Sequence, residues 1–352
     1  MQRENSYAIA ILLVSSAIGA AAPPIQVELA TERGVQITAP HEWLQLLTSL
    51  GINNVRIRGA QPADQPRVDK QGTAERPSYR VLGLVTLRNE LKLPGGTFSR
   101  GDRARLKDYF DRLGADGAES LTASRGMFGL TEKEIAAVFA DLTQPINFPT
   151  KGQAPGAVVD RLQENFMCKV AVDGDADRVL QDATPITDEL EGITAGTGAA
   201  MLLRSRGLVL RPEKTRGQPV VLRIAAVDAV ERSISPAGKS ADKLMRSWPI
   251  GWEPEQSPGK TAPSLFEYLN AEIDGYTLEE TLAAVAPRLK IPMYLDHAIL
   301  AANQIEPAKI RVKLARSRTI YKLIIDRVLS QARLGSQVRV DEAGTPFLWV
   351  TR

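Results

Sequence analysis

The clearest indication of the fold lies in the stretch Tyr276-Thr-Leu-Glu-Glu-Thr-Leu-Ala-Ala-Val-Ala-Pro-Arg-Leu-Lys-Ile-Pro-Met-Tyr-Leu-Asp296. It opens with a capping box, in which the Thr277 hydroxyl serves the amide of Glu280 and the Glu280 side chain reaches back to the amide of Thr277. The apolar positions that follow lie on one helical stripe, namely Leu278, Leu282, Val285 and Leu289. Pro287 should end the helix, and Ile291–Leu295 has the pattern of a strand.

The residues after this stretch continue the α/β pattern to the end of the chain. Lys309–Leu314 alternates strictly between basic and apolar residues, which is typical of a half-buried strand. Ser317 is placed to cap a longer helix with apolar positions at Ile320, Leu323, Ile324 and Val328. A hairpin then closes the chain, with strands at Val338–Val340 and Phe347–Val350 around the turn Asp341–Gly344. The sequence therefore predicts one small unit over residues 264–352.

An earlier part of the chain has the same order of elements. Val159, Leu162, Phe166, Val170, Val172 and Asp173 match Leu282, Val285, Leu289, Met293, Leu295 and Asp296 at one constant offset. Leu202, Leu203 and Leu208 match Val328, Leu329 and Leu334 after a three-residue shift. Residues 151–234 are therefore predicted to be a first copy of the unit, and the proline- and glycine-rich stretch 235–263 to be a connector. The alternative is that two unrelated amphipathic α/β units align this well.

Residues 22–150 are predicted to form an N-terminal α/β region. Two alternating strands, Ile25–Leu29 and Asn53–Arg58, flank a helix with Trp43, Leu46, Leu47 and Leu50 on one face. Residues 59–77 have the polar, proline-rich composition of an exposed loop. Ser99 is placed to cap one further helix, and Thr131 with Glu134 forms a capping box for another. The predicted fold class is α+β or α/β, built of small βαβ-type units with two helices on short mixed sheets.

Composition narrows the classes of function. The chain has 352 residues, is 43% hydrophobic and 24% charged, and has a net charge of +3, so it is globular rather than disordered and lacks the basic excess of a nucleic-acid-binding protein. Cys168 is the only cysteine, which excludes an intramolecular disulfide, and its apolar context indicates a buried side chain. His41 and His297 are far apart in the sequence and support neither a zinc site nor a catalytic triad.

The first 21 residues have the pattern of a secretory signal peptide. Arg3 precedes the apolar run Tyr7–Val14, and Gly19–Ala22 supplies the small residues of a cleavage site after Ala20 or Ala21. The apolar run is too short to span a bilayer comfortably. The sequence therefore predicts an exported protein, periplasmic or secreted, with no stable membrane insertion after cleavage. An uncleaved anchor and a buried N-terminal helix are the alternatives.

The string Asp173-Gly-Asp-Ala-Asp-Arg178 is the sharpest candidate for chemistry. It resembles the metal-binding loop of the phosphohexomutase family, in which three aspartates hold a magnesium ion. The resemblance covers only this string, because Arg125, Gly126 and Met127 replace the residues that follow that family's phosphoserine, so we interpret it as a coincidence. As a calcium loop it has Arg178 and Thr184 where glycine and glutamate are needed. A weak calcium or magnesium site at Asp173, Asp175 and Asp177 and a solvated helix start are both open interpretations.

Two other segments are candidates for binding anions. Gly192–Gly198 precedes a helix and offers backbone N–H groups, but it lacks the Lys-Ser/Thr of a phosphate-binding P-loop, which favours a glycine-rich helix start without a ligand. Basic residues concentrate near the C-terminus, at Lys309, Arg311, Lys313, Arg316 and Arg318. They predict either a surface for an anionic partner or a solvated sheet face.

The C-terminal pattern resembles the short domain at the N-terminus of secretins and TonB-dependent receptors. The resemblance spans about 75 residues, from Tyr276 to Val350, and twice that if the repeat is real. It implies a two-helix, small-sheet module that docks other envelope proteins and has no catalytic residues. The leading hypothesis is therefore an exported, non-enzymatic envelope protein that acts as an interaction or scaffold module. The alternative is a divalent-metal-dependent enzyme on a phosphate or glycan, centred on Asp173, Asp175 and Asp177.

Overall fold

The computed structural model describes residues 23–73, 76–229 and 246–352. The chain divides into two compact units, Met1–Thr122 and Ala123–Arg352. The sequence placed the first boundary at residue 150, but residues 123–150 belong to the second unit because Val138, Leu142 and Ile146 lie in its core. The predicted signal peptide, residues 1–21, lies outside the described residues, and so does the part of the predicted connector from 235 to 245.

The N-terminal unit is a mixed sheet with helices. Its elements are β1 (Ile25–Thr31), α1 (Ala39–Ser49), β2 (Asn54–Gly59), β3 (Arg67–Gly72), β4 (Pro77–Val85), β5 (Leu91–Leu93), β6 (Gly96–Phe98), α2 (Arg103–Asp116) and α3 (Glu119–Thr122). The sheet order is β2-β1-β4-β5-β6, and β3 pairs with β4. Because β1 and β2 are parallel and α1 connects them, the predicted strand–helix–strand unit is confirmed. Trp43, Leu47 and Leu106 are buried in its core.

Residues 59–77 are not the continuous exposed loop that the sequence predicted. They contain β3, which pairs antiparallel with β4. The sequence did not predict this strand, because its residues are polar and most of its side chains are exposed. Arg58 donates to the carboxylates of Glu28 and Asp64, which fastens the segment before β3 to β1.

The second unit contains two successive α/β halves. The first includes α4 (Glu132–Leu142), α5 (Pro155–Gln163), β7 (Lys169–Val172), α6 (Gly174–Leu180), α7 (Ala195–Arg204), β8 (Leu208–Lys214) and β9 (Val220–Ala226). After the short helix α8 (Pro258–Thr261), the second includes β10 (Tyr268–Ile273), α9 (Leu278–Val285), β11 (Met293–Leu295), α10 (His297–Ala302), β12 (Leu314–Ile320), α11 (Tyr321–Gln331), β13 (Gly335–Val340) and β14 (Pro346–Thr351). We call residues 144–226 the first repeat and residues 268–351 the second repeat.

The two repeats have the same topology. Their three-stranded sheets have the orders β7-β9-β8 and β11-β14-β13, each with one parallel and one antiparallel pair. The amide of Asp173 donates to Ile224 O at 3.0 Å, and that of Asp296 donates to Val350 O at 2.8 Å. The β10–β12 pair brings Tyr268 opposite Ile320, just as a single bridge in the first repeat brings Pro145 opposite Thr194. The pairing therefore agrees with the repeat that the sequence predicted.

The two repeats share a core. Tyr294, Phe347 and Trp349 of the second repeat pack into the same cluster as α4, α5 and α7. Trp248 joins this cluster, stacks on Phe128 with ring centroids 5.9 Å apart and is buried. The described end of the predicted connector is therefore packed against the repeats, as its tryptophans indicate.

Several predicted boundaries in the second repeat are wrong. Lys309–Leu314 is not a strand: β12 begins at Leu314, and the residues before it run beside the start of α9, where Val312 N donates to Tyr276 O at 3.0 Å. Ser317 does not cap a helix but lies within β12, and Ile320 is the N-cap of α11.

In the N-terminal unit, Asp102 rather than Ser99 precedes α2, and Ser99 donates to its carboxylate. Both predicted capping boxes are confirmed.

Within the described ranges, no helix combines the length and the apolar character needed to cross a membrane.

Candidate functional site

The β10–β12 sheet is the two-stranded sheet of the second repeat. Each strand pairs only with the other among the described residues, so each has an unpaired outer edge. Alternation along β10 places Leu269, Ala271 and Ile273 half-buried against the helices and leaves the intervening side chains exposed. An unpaired strand edge presents backbone N–H and C=O groups in the spacing that another extended chain can pair with.

A groove of about 370 Å³ runs along β10. Its floor and walls come from β10, α9 and α11, and its lining residues include Ala271, Glu272, Tyr276, Thr281 and Ala284. Side chains from both faces of β10 line the groove, which places it along the unpaired edge of that strand. The Thr281 side chain is buried, and its hydroxyl has no hydrogen-bond partner among the described residues. A buried hydroxyl without a partner costs free energy, and this one lies beneath the groove surface rather than facing a ligand.

Aromatic side chains stand beside this groove and are strongly exposed. Tyr268 is 71% exposed and Tyr276 is 58% exposed. The guanidinium of Arg318 on β12 lies 5.7 Å from the centre of the Tyr268 ring. Exposed tyrosines next to an open groove are typical of protein-binding surfaces.

The five predicted basic residues do not share one strand face. Lys309 pairs with Glu306, Arg311 donates to Gly275 O at 2.7 Å, and Lys313 lies 3.4 Å from Asp274. These three precede β12, whereas Arg316 and Arg318 are exposed on it. The structure therefore separates the predicted basic surface into two groups, and binding of an anionic partner stays a prediction.

The three aspartates of the predicted metal loop each have a different contact. Asp173 is the N-cap of α6 and accepts from Arg223 at 2.7 Å. Asp175 lies within the first turn of α6 beside Arg178, and Asp177 accepts from Gln181 at 2.8 Å. The loop becomes helical at Gly174, and helical positions two residues apart do not face each other. No group of three potential metal ligands occurs in the parts of the chain that the structure describes. Weak calcium or magnesium binding stays a prediction.

The glycine-rich segment Gly192–Gly198 receives an anion from the protein itself. Thr197 N–H and its hydroxyl donate to the Glu342 carboxylate at 3.2 and 2.9 Å, and the Trp248 indole N–H donates to it at 2.5 Å. A Cβ at Gly196 would lie 2.6 Å from Trp248 Nε1 and 2.7 Å from Glu342 Oε1. The glycine is therefore needed for close packing at the start of α7, and the carboxylate occupies the position of an external anion.

Cys168 is half-buried, and its backbone N–H donates to Asp141 Oδ2 at 2.7 Å. Burial, together with the nearby Asp141, raises the pKa of its thiol to about 12. A thiol with this pKa stays protonated at neutral pH, which makes Cys168 a poor nucleophile.

Asp296 and His297 connect the second repeat to the first. Asp296 is buried and accepts from Arg204 Nε at 3.0–3.1 Å. The His297 Nε2 lies 2.9 Å from Asp188 Oδ2, and this hydrogen bond, opposed by partial burial, raises the pKa of His297. No local pattern in the sequence predicts these contacts, because their partners are distant along the chain.

We expect His297 to make the second unit more stable at pH 6 than at pH 8. A histidine whose pKa is raised by folding contributes stability that is complete below its unfolded pKa of 6.5 and is lost as the pH rises through the folded pKa. Thermal melts of His297→Gln should lack this part of the pH dependence, because glutamine can donate to Asp188 but does not titrate. The control is His41→Gln, at an exposed histidine of the N-terminal unit. An unchanged pH dependence in His297→Gln would contradict the assignment.

No protein-family model matches this chain, and neither the curated proteins nor the solved structures contain a significant match to it.

Proposed function

We propose that this chain is an exported envelope protein that docks another protein through its second repeat and carries out no chemistry of its own. The observation that carries the proposal is the β10–β12 sheet, whose outer edges are unpaired among the described residues, beside an open groove. Addition of a strand at such an edge is a common mode of peptide recognition, in which backbone hydrogen bonds supply affinity and adjacent pockets supply specificity. Tyr268 and Tyr276 add aromatic area at the same place.

The resemblance to the short domain of secretins and TonB-dependent receptors agrees with this proposal. The second repeat contains two longer helices, α9 and α11, a two-stranded sheet and a three-stranded sheet. The resemblance implies a two-helix, small-sheet module, and in that family the module docks other envelope proteins. The partner is therefore expected among the proteins of the envelope, and its identity is a question for experiment.

The alternative of a metal-dependent enzyme has less support. Asp173, Asp175 and Asp177 would have to leave their contacts with Arg223, Arg178 and Gln181 to converge on one cation. The docking surface requires no such rearrangement, because the groove and the strand edge are already open.

Site-specific photocrosslinking tests the proposal. A photoreactive phenylalanine analogue at Tyr276 of the full chain, expressed in its native host, should give one discrete adduct with an envelope protein. The matched control places the same analogue at Met167, which is 94% exposed but belongs to the first repeat. Adducts from Met167 that equal those from Tyr276, or no adduct from either position, would contradict docking at this surface.

A further inference from the structure

The two repeats can be compared position by position at the groove. In each repeat, the residue before the long C-terminal helix pairs with the segment ahead of the first helix: Thr194 with Pro145, and Ile320 with Tyr268. Three residues after Pro145 and Tyr268 come Phe148 and Ala271, which are therefore equivalent. The sequence offset of the repeat likewise makes Arg161 equivalent to Ala284 and Val158 equivalent to Thr281.

In the first repeat the position of the groove is filled. Phe148 is only 3% exposed, and the Arg161 guanidinium covers its ring at 4.2 Å from the centroid. In the second repeat both positions are alanine, and the space that a phenylalanine ring and an arginine stem would take is open. The second repeat therefore lacks the phenylalanine ring and the arginine side chain that covers it, and the groove is the space that their absence leaves open.

Charge at the rim favours a cationic occupant. The charged residues that line the groove are Glu272, Glu280 and Arg288, so acidic groups are in excess. Glu280 caps α9, whereas Glu272 lies on the exposed face of β10, and the described residues give it no cationic partner. The equivalent of Glu272 in the first repeat is the uncharged Pro149. The cation at that place is the first repeat's own Arg161, which lies over the Phe148 ring. A basic side chain from outside would pair with Glu272 and cover the aromatic ring, as Arg161 covers Phe148.

From these observations we infer that the groove binds an extended segment of a partner protein that inserts one aromatic side chain and places a basic residue beside it. The inference rests on the proposed docking function and specifies the chemistry of the partner. The aromatic ring occupies the space between Ala271 and Ala284, the segment's backbone lies along the edge of β10, and the basic residue meets Glu272.

The first test is titration of the ¹⁵N-labelled full chain with the capped peptide Ac-Lys-Val-Phe-Val-Lys-amide, followed by NMR. We expect saturable shifts at β10 and α9, and we expect the control peptide with alanine in place of phenylalanine to bind at least tenfold more weakly, because burial of an aromatic ring dominates such contacts. Equal binding of the two peptides, or shifts that map elsewhere, would overturn the inference.

Two variants test the groove itself. Ala271→Phe combined with Ala284→Arg installs the residues of the first repeat, and it should abolish binding of the phenylalanine peptide while leaving the melting temperature unchanged or raised. Glu272→Gln removes only the charge, and it should weaken binding of the lysine-containing peptide about two- to fivefold, which is the usual effect of losing one exposed ion pair. If the double variant fails to fold, Glu272→Gln and the peptide pair still decide the question.

The outcomes separate this inference from the proposed function. An adduct from Tyr276 without peptide binding would leave docking in place and refute the aromatic occupant. Dimerisation of the native chain that is lost in the filled variant would show that a second copy covers the groove, which also refutes it.

Discussion

Replacement of Asp296 by alanine should lower the free energy of unfolding of the second unit by about 2–4 kcal/mol, because several hydrogen bonds to a buried charged group are lost together. The Asp296 carboxylate is 2% exposed and accepts from Arg204, from the amide of Ile299 and from the Thr351 hydroxyl at 3.0–3.2 Å. Alanine leaves the Thr351 hydroxyl and the amide of Ile299, in the first turn of α10, without this acceptor. Urea unfolding followed by circular dichroism gives the free energy directly.

The repeat supplies a matched control for this variant. Asp173 occupies the equivalent position but is partly exposed and has one ion pair, with Arg223, and no capping hydrogen bond. Asp173→Ala should therefore cost at most about 1 kcal/mol. Equal losses for the two variants would contradict the assigned role of Asp296. The Asp173 variant also addresses metal binding, since a calcium- or magnesium-dependent rise in melting temperature that it abolishes would favour the metal-dependent alternative.

Replacement of Glu342 by alanine should also destabilise the second unit by about 2–4 kcal/mol. Its carboxylate is the acceptor for the indole N–H of Trp248, which is 3% exposed, and for the hydroxyls of Thr194 and Thr197. Without it, a buried indole N–H and the start of α7 lose their acceptor. Urea unfolding measures the loss, and the shift of the Trp248 indole signal in NMR spectra reports the local change.

Two further substitutions define this effect. Glu342→Gln retains an acceptor oxygen without the charge, so it should recover part of the lost stability. Glu306→Ala removes a glutamate whose pairing with Lys309 is exposed on both sides, and its cost should stay within about 0.5 kcal/mol. A loss for Glu342→Ala no larger than that of Glu306→Ala would show that the carboxylate does not hold α7.

Local signals in the sequence predicted much of the fold. The capping boxes at Thr131 and Thr277 act within one helical turn, so the residues that form them are adjacent in the sequence. The constant offset between the repeats predicted equivalent strands, since equivalent core positions need apolar residues. The prediction was wrong for Lys309–Leu314, because its alternation fits a strand but its backbone pairs with the start of α9.

The candidate site was much less predictable. The alternating aspartates around Asp173 predicted a site there, whereas Asp296 is the more deeply buried carboxylate and accepts more hydrogen bonds. The environment of Asp296 comes from Arg204 and Thr351, which are distant in sequence. The groove is defined by what is missing at Ala271 and Ala284. An alanine in a sequence gives no indication of open space until the packing around it is known.

The contact between the two repeats also has a direction. The first repeat contributes Thr194 and Thr197 at the start of α7, and the second contributes Asp341 and Glu342 from the β13–β14 turn. Different surfaces of the two copies therefore meet, as in a heterologous, head-to-tail contact. Contacts of this kind have no symmetry that limits their number, and they can extend into open arrays.

The side chains at the two ends limit this array. The first repeat has Thr215 and Arg216 where the second has its two carboxylates, and α11 begins at Ile320 and Leu323 where α7 has its two threonines. A further copy added at either end would lack the contacts between carboxylates and threonine hydroxyls that join these two. Sequence divergence of the outer surfaces therefore removes the side-chain contacts through which a head-to-tail array would grow.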